Sequence, residues 1–224
     1  MGAPRPPEPC VPAVQCDELG VSAVFGDVSV VHHSDLIRGQ FRGYREEPGV
    51  APQSNTETFV ALRLSIDSWR WQNVPFFIRA GKLLPTTATE VLVRLRPPPD
   101  LYPELGPPAN YLRFRIGPDI AIAMGASVLA PGSEMHGNHV ELLAAENPTA
   151  DDQLAYERVL SDALAGDASI FAREDYVEEA WRIVDPVLRD PQPVVPYSPK
   201  TWGPVIPPHL TPPGGWCDPG DKPV

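Results

Sequence analysis

Apolar and polar positions alternate along Thr56–Asp67, with Thr58, Val60, Leu62, Leu64 and Ile66 set against Phe59, Ala61, Arg63 and Ser65. A period of two puts successive side chains on opposite faces, so this stretch predicts a β-strand. Its β-branched and aromatic residues agree. Pro75–Arg79 predicts a second strand that closes at Gly81. Thr89–Arg96 predicts a third, with Val91, Val93 and Leu95 on one face and Leu92, Arg94 and Arg96 on the other; Pro97-Pro98-Pro99 stops it. Between the first two strands, Trp69 and Trp71 share a face if the chain stays extended. Tyr111–Ile116 and Asp119–Val128 predict a hairpin around Gly117-Pro118, and His139–Ala144 a further short strand. No helix follows any of these strands. The βαβ rhythm of a parallel sheet is absent, and an antiparallel sheet is expected.

The period then changes. Thr149 with Asp152 makes a capping pair before a helix over about Ala150–Ala165, whose apolar stripe is Tyr156, Val159, Leu160, Ala163 and Leu164. Gly166 is its stop. A second helix is predicted over about Glu174–Asp185, lined by Val177, Ala180, Trp181 and Val184, with Pro186 ending it near Val187. Strands first and helices after is the α+β arrangement: a large, mostly antiparallel sheet with helices packed on one face and Pro-rich termini. Residues 1–34 read as a weakly structured lead-in, in which Val21–Val31 carries the pattern of a strand or hairpin. The main domain spans 35–216, and 217–224 form a tail. No internal repeat is present.

Composition narrows the classes. The chain has 224 residues, 42% of them hydrophobic, enough for one core. Its formal net charge of −11 projects the wrong field for neutralising nucleic-acid phosphates, although a few side chains can still make a local basic pocket. Many of the 30 prolines lie in Pro4–Pro12 and Pro191–Pro213, so both ends are expected to be extended. The three cysteines, Cys10, Cys16 and Cys217, show no paired framework, which points to a reducing compartment. Cys10 and Cys16 have no His or third Cys near them in sequence to complete a metal site. The N-terminus lacks an apolar run, and the longest apolar stretch, Ile120–Ala130, is shorter than the about 20 residues a bilayer takes. A cytoplasmic protein without membrane contact is expected.

The chemical inventory is sparse. There is no G-x-G-x-x-G for a dinucleotide, and Ala80-Gly81-Lys82 lacks the other positions of a P-loop. His136 and His139 flank Gly137-Asn138 in a pattern better explained by a solvated turn than by a metal pair. His32-His33 reads the same way, and His209 has no evident partner. No G-x-S-x-G elbow appears. Asp151-Asp152 fits helix-start charge, and Glu178-Glu179 a solvated helix face. The most distinctive segment is Arg79-Ala80-Gly81-Lys82-Leu83-Leu84-Pro85. Here a strand delivers Arg79, a glycine lets the backbone turn, and Lys82 projects at the strand's end. Such a lysine can serve as a point charge for phosphate; an ordinary surface lysine is the plain alternative.

Several segments together resemble a known family. They are Arg38-Gly39-Gln40-Phe41-Arg42-Gly43-Tyr44, Pro48-Gly49-Val50, Ser54–Phe59 and Trp69–Phe76, followed by Phe77-Ile78-Arg79-Ala80-Gly81-Lys82 running into Thr89-Glu90-Val91. Ala155-Tyr156-Glu157-Arg158-Val159-Leu160, Gly166-Asp167, Phe171 and Glu179–Pro186 come later in the same order. This succession, from about Ser34 to Trp216, is similar to the C-terminal domain of glucose-6-phosphate dehydrogenase. The resemblance implies a large antiparallel sheet with helices that completes the sugar-phosphate site and makes the dimer. It implies NADP as cofactor, no metal, and oxidation of glucose 6-phosphate to the 6-phosphogluconolactone at the entry to the pentose phosphate pathway of carbohydrate metabolism. It also implies Lys82 as the contact to glucose 6-phosphate.

Two departures matter. The family's second basic substrate contact falls at Thr87, and a family glutamine in the next hairpin falls at Gly117; the first removes a charge from the phosphate clamp. The family's Gly-rich nucleotide turn and general-base histidine have no counterpart in 1–34, which is too short to hold a dinucleotide fold, whose βαβ unit alone takes about 30 residues. These residues alone are therefore expected to be inactive, with no catalytic or cofactor-binding residue of their own, and to need a nucleotide-binding chain. The alternatives are a non-catalytic dimerisation or regulatory module and a truncated gene product.

Overall fold

The structure, a computed structural model, describes residues 13–14, 36–66, 68–96, 109–129, 137–145, 155–189 and 192–220. Its strands are β1 (Ala13–Val14), β2 (Leu36–Phe41), β3 (Phe59–Ser65), β4 (Pro75–Gly81), β5 (Thr89–Arg94), β6 (Tyr111–Gly117), β7 (Ala121–Leu129), β8 (Gly137–Ala145) and β9 (Val194–Tyr197). They form one sheet in the order β8-β7-β6-β5-β1-β4-β3-β2-β9. The two-residue β1, inside the expected lead-in, joins two antiparallel groups by pairing parallel to β4 and antiparallel to β5. The other parallel ladder joins β2 and β9. The fold is thus α+β and mostly antiparallel, as the strand-then-helix order predicts.

Six strands, β3 to β8, lie where the sequence predicts them, with ends shifted by a few residues. β2 and β9 escaped the reading. Leu36–Phe41 carries an arginine and a glycine, and Val194–Tyr197 carries a proline, so neither shows the local pattern; β2 is a strand because β3 and β9 supply its ladders, and β9 because β2 does. The stretch at Val21–Val31 lies outside the described residues, as do the capping pair Thr149 and Asp152. Trp69 and Trp71 do not share an extended face. Turn bonds from Trp71 N–H to Ser68 O (3.1 Å) and from Val74 N–H to Trp71 O (2.9 Å) fold the segment. Trp71 packs edge-on against Phe76, while Trp69 is 92% exposed.

The helices are α1 (Ala155–Ala165) and α2 (Glu174–Arg189). Gly166 ends α1 at φ +74°, the left-handed conformation expected of a glycine stop. α2 does not end near Val187; it passes through Pro186 to Arg189. A proline removes one intrahelical donor and leaves the rest of the ladder available, and the Arg189–Asp185 pair (2.7 Å) ties the last turn to the one before it. The apolar stripes of both helices face solvent instead of the sheet: Leu160 and Leu164 on α1 and Trp181 on α2 are exposed. An amphipathic stripe encodes that a face will be covered, not which element covers it.

Cross-strand pairing gives β6–β8 two unlike faces. On one, Glu90 bonds Arg115 (2.6 Å), Arg113 bonds Glu141 (2.6 Å), and Tyr111 donates to Glu141. Burial and the Glu141 carboxylate push the Tyr111 phenol up to about 12, so it stays a donor. On the other, Ile122 and Met124 of β7 stand beside Val140 and Leu142 of β8, all at least 41% exposed.

The core lies at the opposite end of the sheet. Phe41, Phe59, Ala61 and Tyr197 are buried together, with Ile37, Leu84, Ile206 and Trp216 packed around them. Leu210 and Pro212 of the Pro-rich C-terminal stretch are fully buried. That stretch is extended only in part, as at Val194–Tyr197, and turns at Pro208–Leu210; it is also a structural layer, because apolar prolines bury without needing a donor partner.

Candidate functional site

Lys82 follows the last residue of β4, beside the core. Its position comes from the residues around it. Phe59 faces Gly39 on one neighbouring strand and Gly81 on the other. A Cβ at Gly81 would sit 2.8 Å from the Phe59 ring, so the glycine is needed for close approach. The turn itself is made one step later than the sequence suggests: Leu83, not Gly81, takes the left-handed conformation, at φ +51°. Such a backbone persists in a leucine only where neighbours hold it.

The holding groups come from the C-terminal segment. Tyr197 donates its phenol O–H toward Lys82 O (2.7 Å) and toward Thr58 O (3.1 Å). Its hydroxyl oxygen also lies 3.1 Å from Thr58 Oγ1, which accepts from Phe41 N–H at 2.9 Å. Lys82 N–H donates to Thr58 O (2.8 Å), and Lys200 N–H donates to Leu83 O (2.7 Å). Burial raises the Tyr197 phenol above its ordinary range, so it is a protonated donor at neutral pH. The backbone on both sides of the Lys82 side chain is therefore fixed, while the side chain is exposed.

Three residues before Lys82, Arg79 is 3% exposed. It stacks on Trp202 (4.5 Å to the ring centroid) and Trp216 (4.9 Å) and pairs with Asp218 at 2.5 Å. Asp218 belongs to the stretch assigned to a tail. Arg79 is thus a buried clamp, whereas Lys82, among the described residues, has no ion pair. Its ammonium group is the one of these two cations open to a ligand.

The other candidates are placed as follows. Thr87 is exposed and carries no charge. His139 lies on β8, stacked on Tyr111 with centroids 5.4 Å apart. His209 lies in a 3-10 turn, Pro208–Leu210. His32, His33, His136, Cys10 and Cys16 fall outside the described residues, and Cys217 is disulfide-bonded, correcting the reading of the cysteines as unpaired. Among the described residues no group of three metal-ligating side chains occurs. No helix is long and apolar enough to cross a membrane. The sequence reading missed Tyr197, Thr58 and Asp218, because their importance lies in contacts 115 to 139 residues distant in sequence.

Together these features define an α+β domain built on a mostly antiparallel sheet, with one exposed lysine at a fixed strand end. Residues 15–211 match the model of the glucose-6-phosphate dehydrogenase C-terminal domain. The chain is 39% identical over 189 residues to glucose-6-phosphate 1-dehydrogenase of Aggregatibacter actinomycetemcomitans, covering 78% of this chain and 38% of that protein. It is 40% identical over 186 residues to glucose-6-phosphate 1-dehydrogenase 1 of Mycobacterium tuberculosis, covering 81% and 39%. A crystal structure of the Mycobacterium avium enzyme superposes with a TM-score of 0.71 at 43% identity, covering 82% of this chain and 40% of that one. A glucose-6-phosphate dehydrogenase in complex with its substrate glucose 6-phosphate superposes with a TM-score of 0.68 at 28% identity, covering 79% and 40%. The chain belongs to the glucose-6-phosphate dehydrogenase family and corresponds to its C-terminal domain. It spans about two fifths of the length of the relatives it matches.

Proposed function

We propose that this chain supplies the sugar-phosphate side of an NADP-dependent glucose-6-phosphate dehydrogenase, with Lys82 as the charge that meets the phosphate of glucose 6-phosphate. The observation carrying this is the exposed Lys82 ammonium, which has no ion pair among the described residues, on a backbone that three hydrogen bonds fix on both sides. A fixed backbone leaves only the lysine's own rotamers to order on binding, so its attraction to a phosphate dianion is less offset by ordering. With Thr87 in place of a second base, affinity rests on one point charge and is expected to be modest and salt-sensitive. The family implies NADP, but among the described residues no Gly-rich turn joins a strand to a helix N-terminus, so these residues do not fit its pyrophosphate. Hydride transfer also needs a base for the C1 hydroxyl proton, and among the described residues no imidazole is bonded to Lys82. Lys82 thus binds and orients the phosphate, and we place the redox step with residues these elements do not provide.

Calorimetry with glucose 6-phosphate tests the assignment. Lys82→Ala is expected to weaken binding at least about tenfold, the scale of one charge-assisted contact. Equal heats for both proteins would remove Lys82 from the site.

The same reading includes self-association through the apolar face of β6–β8. A contiguous patch that includes Ile122, Met124, Val140 and Leu142 is unusual on an isolated protein surface. Leu142→Asp is expected to shift sedimentation from dimer to monomer without lowering the melting temperature, because Leu142 is 69% exposed within one protomer. An unchanged dimer would rule this face out.

A further inference from the structure

We infer that Tyr197 is a positioning residue for Lys82: its buried phenol aims a lysine that lies 115 residues away in sequence. The inference rests on Lys82 being the phosphate contact proposed above. Its ring is gripped by Phe41 and Phe59, with centroids 6.5 and 5.5 Å away. Its backbone is pinned by the Arg42 N–H to Tyr197 O bond (2.8 Å) and by the β2–β9 register that sets Phe41 opposite Tyr197. The hydroxyl therefore has little freedom to leave Lys82 O. Directly after that carbonyl comes Leu83 at φ +51°, so the peptide Tyr197 holds is the one that enters the left-handed turn. Lys200 N–H holds the next carbonyl, and Lys200 itself stands at φ +59°. Two left-handed residues thus meet across one hydrogen bond, and a turn of this kind persists because its surroundings over-determine it. Without the phenol hydroxyl, the Lys82 carbonyl loses its donor, the Lys82–Leu83 peptide gains freedom, and the ammonium group samples more directions.

Tyr197→Phe tests this, since it keeps the ring contacts. Three measurements separate aiming from general stability. Amide hydrogen exchange should accelerate at least about tenfold at Lys82 and Lys200, with the β3–β4 ladder unchanged. The Kd for glucose 6-phosphate should rise about tenfold, the worth of one lost buried bond to a fixed group. Leu210→Ala opens the buried core elsewhere in the C-terminal segment but leaves the phenol on Lys82 O, so its Kd should stay near that of the wild type. Wild-type exchange rates at Lys82 and Lys200 in Tyr197→Phe, or an unchanged Kd while Lys82→Ala still abolishes binding, would overturn the positioning role and leave the phosphate assignment standing. An equal loss of affinity in Leu210→Ala would also overturn it, by showing a diffuse core effect. If Lys82→Ala binds as the wild type does, the phosphate assignment fails, and this inference with it.

Discussion

Gly203→Ala is expected to lower the unfolding free energy by about 3 kcal/mol, the sum of an overpacking penalty and a left-handed backbone penalty. Gly203 sits at φ +94°, and a Cβ there would lie 2.2 Å from Phe59 Cε2. A long, flexible neighbour would swing aside at little cost. Phe59 cannot: it is 2% exposed, and Gly39 and Gly81 already press against the same side chain. Three glycines from β2, β4 and the C-terminal segment surround one aromatic residue, and each gives up its side chain so that Phe59 can fill the space. Gly215→Ala separates the two penalties. It has φ +90° but nothing within 4 Å of the added carbon, so only the backbone share, about 1 kcal/mol, is expected. Denaturant midpoints at constant m-value measure both. Equal losses for Gly203→Ala and Gly215→Ala would show that Phe59 yields and that this core is loosely packed.

Arg79→Ala is expected to cost a similar amount, about 3 kcal/mol, and most of it should come from stacking and buried stem, not from the ion pair. Asp218 is 40% exposed, so water competes for its charge and the pair is worth about 1 kcal/mol or less. The two indoles are another matter. Trp202 and Trp216 lie 4.5 and 4.9 Å from the guanidinium carbon, and Trp216 also packs edge-on against Phe77. Removing the side chain leaves a gap between rings that cannot both move. Asp218→Asn should therefore be mild and lose its effect in high salt, while Arg79→Ala should stay severe at any ionic strength. Thermal melts of the two variants at low and high salt decide the matter. A larger loss for Asp218→Asn would make the ion pair, and not the aromatic clamp, the main tie between the C-terminal segment and β4.

The local sequence carried much of the fold. Alternation placed β3 to β8, because a half-buried strand must send every second side chain inward. The 3.6-residue stripe placed both helices, and Gly166 ended the first for the backbone reason that glycine tolerates positive φ. The segment around Lys82 was legible too, as a cation beyond a strand, and its motifs located the family. Tertiary structure decided the rest. β2 and β9 are strands only because distant segments supply their ladders, β3 and β9 for β2 and β2 for β9, since a short segment with glycine or proline has none of its own. The turn after β4 falls at Leu83 and not at Gly81, because Phe59 claims the space beside the glycine. Arg79 and Lys82, three residues apart and alike in charge, part company in the same way: a residue's neighbours in sequence set its direction, but only the segment that folds over it, here 194–220, determines whether its charge is buried in a clamp or left open to a ligand.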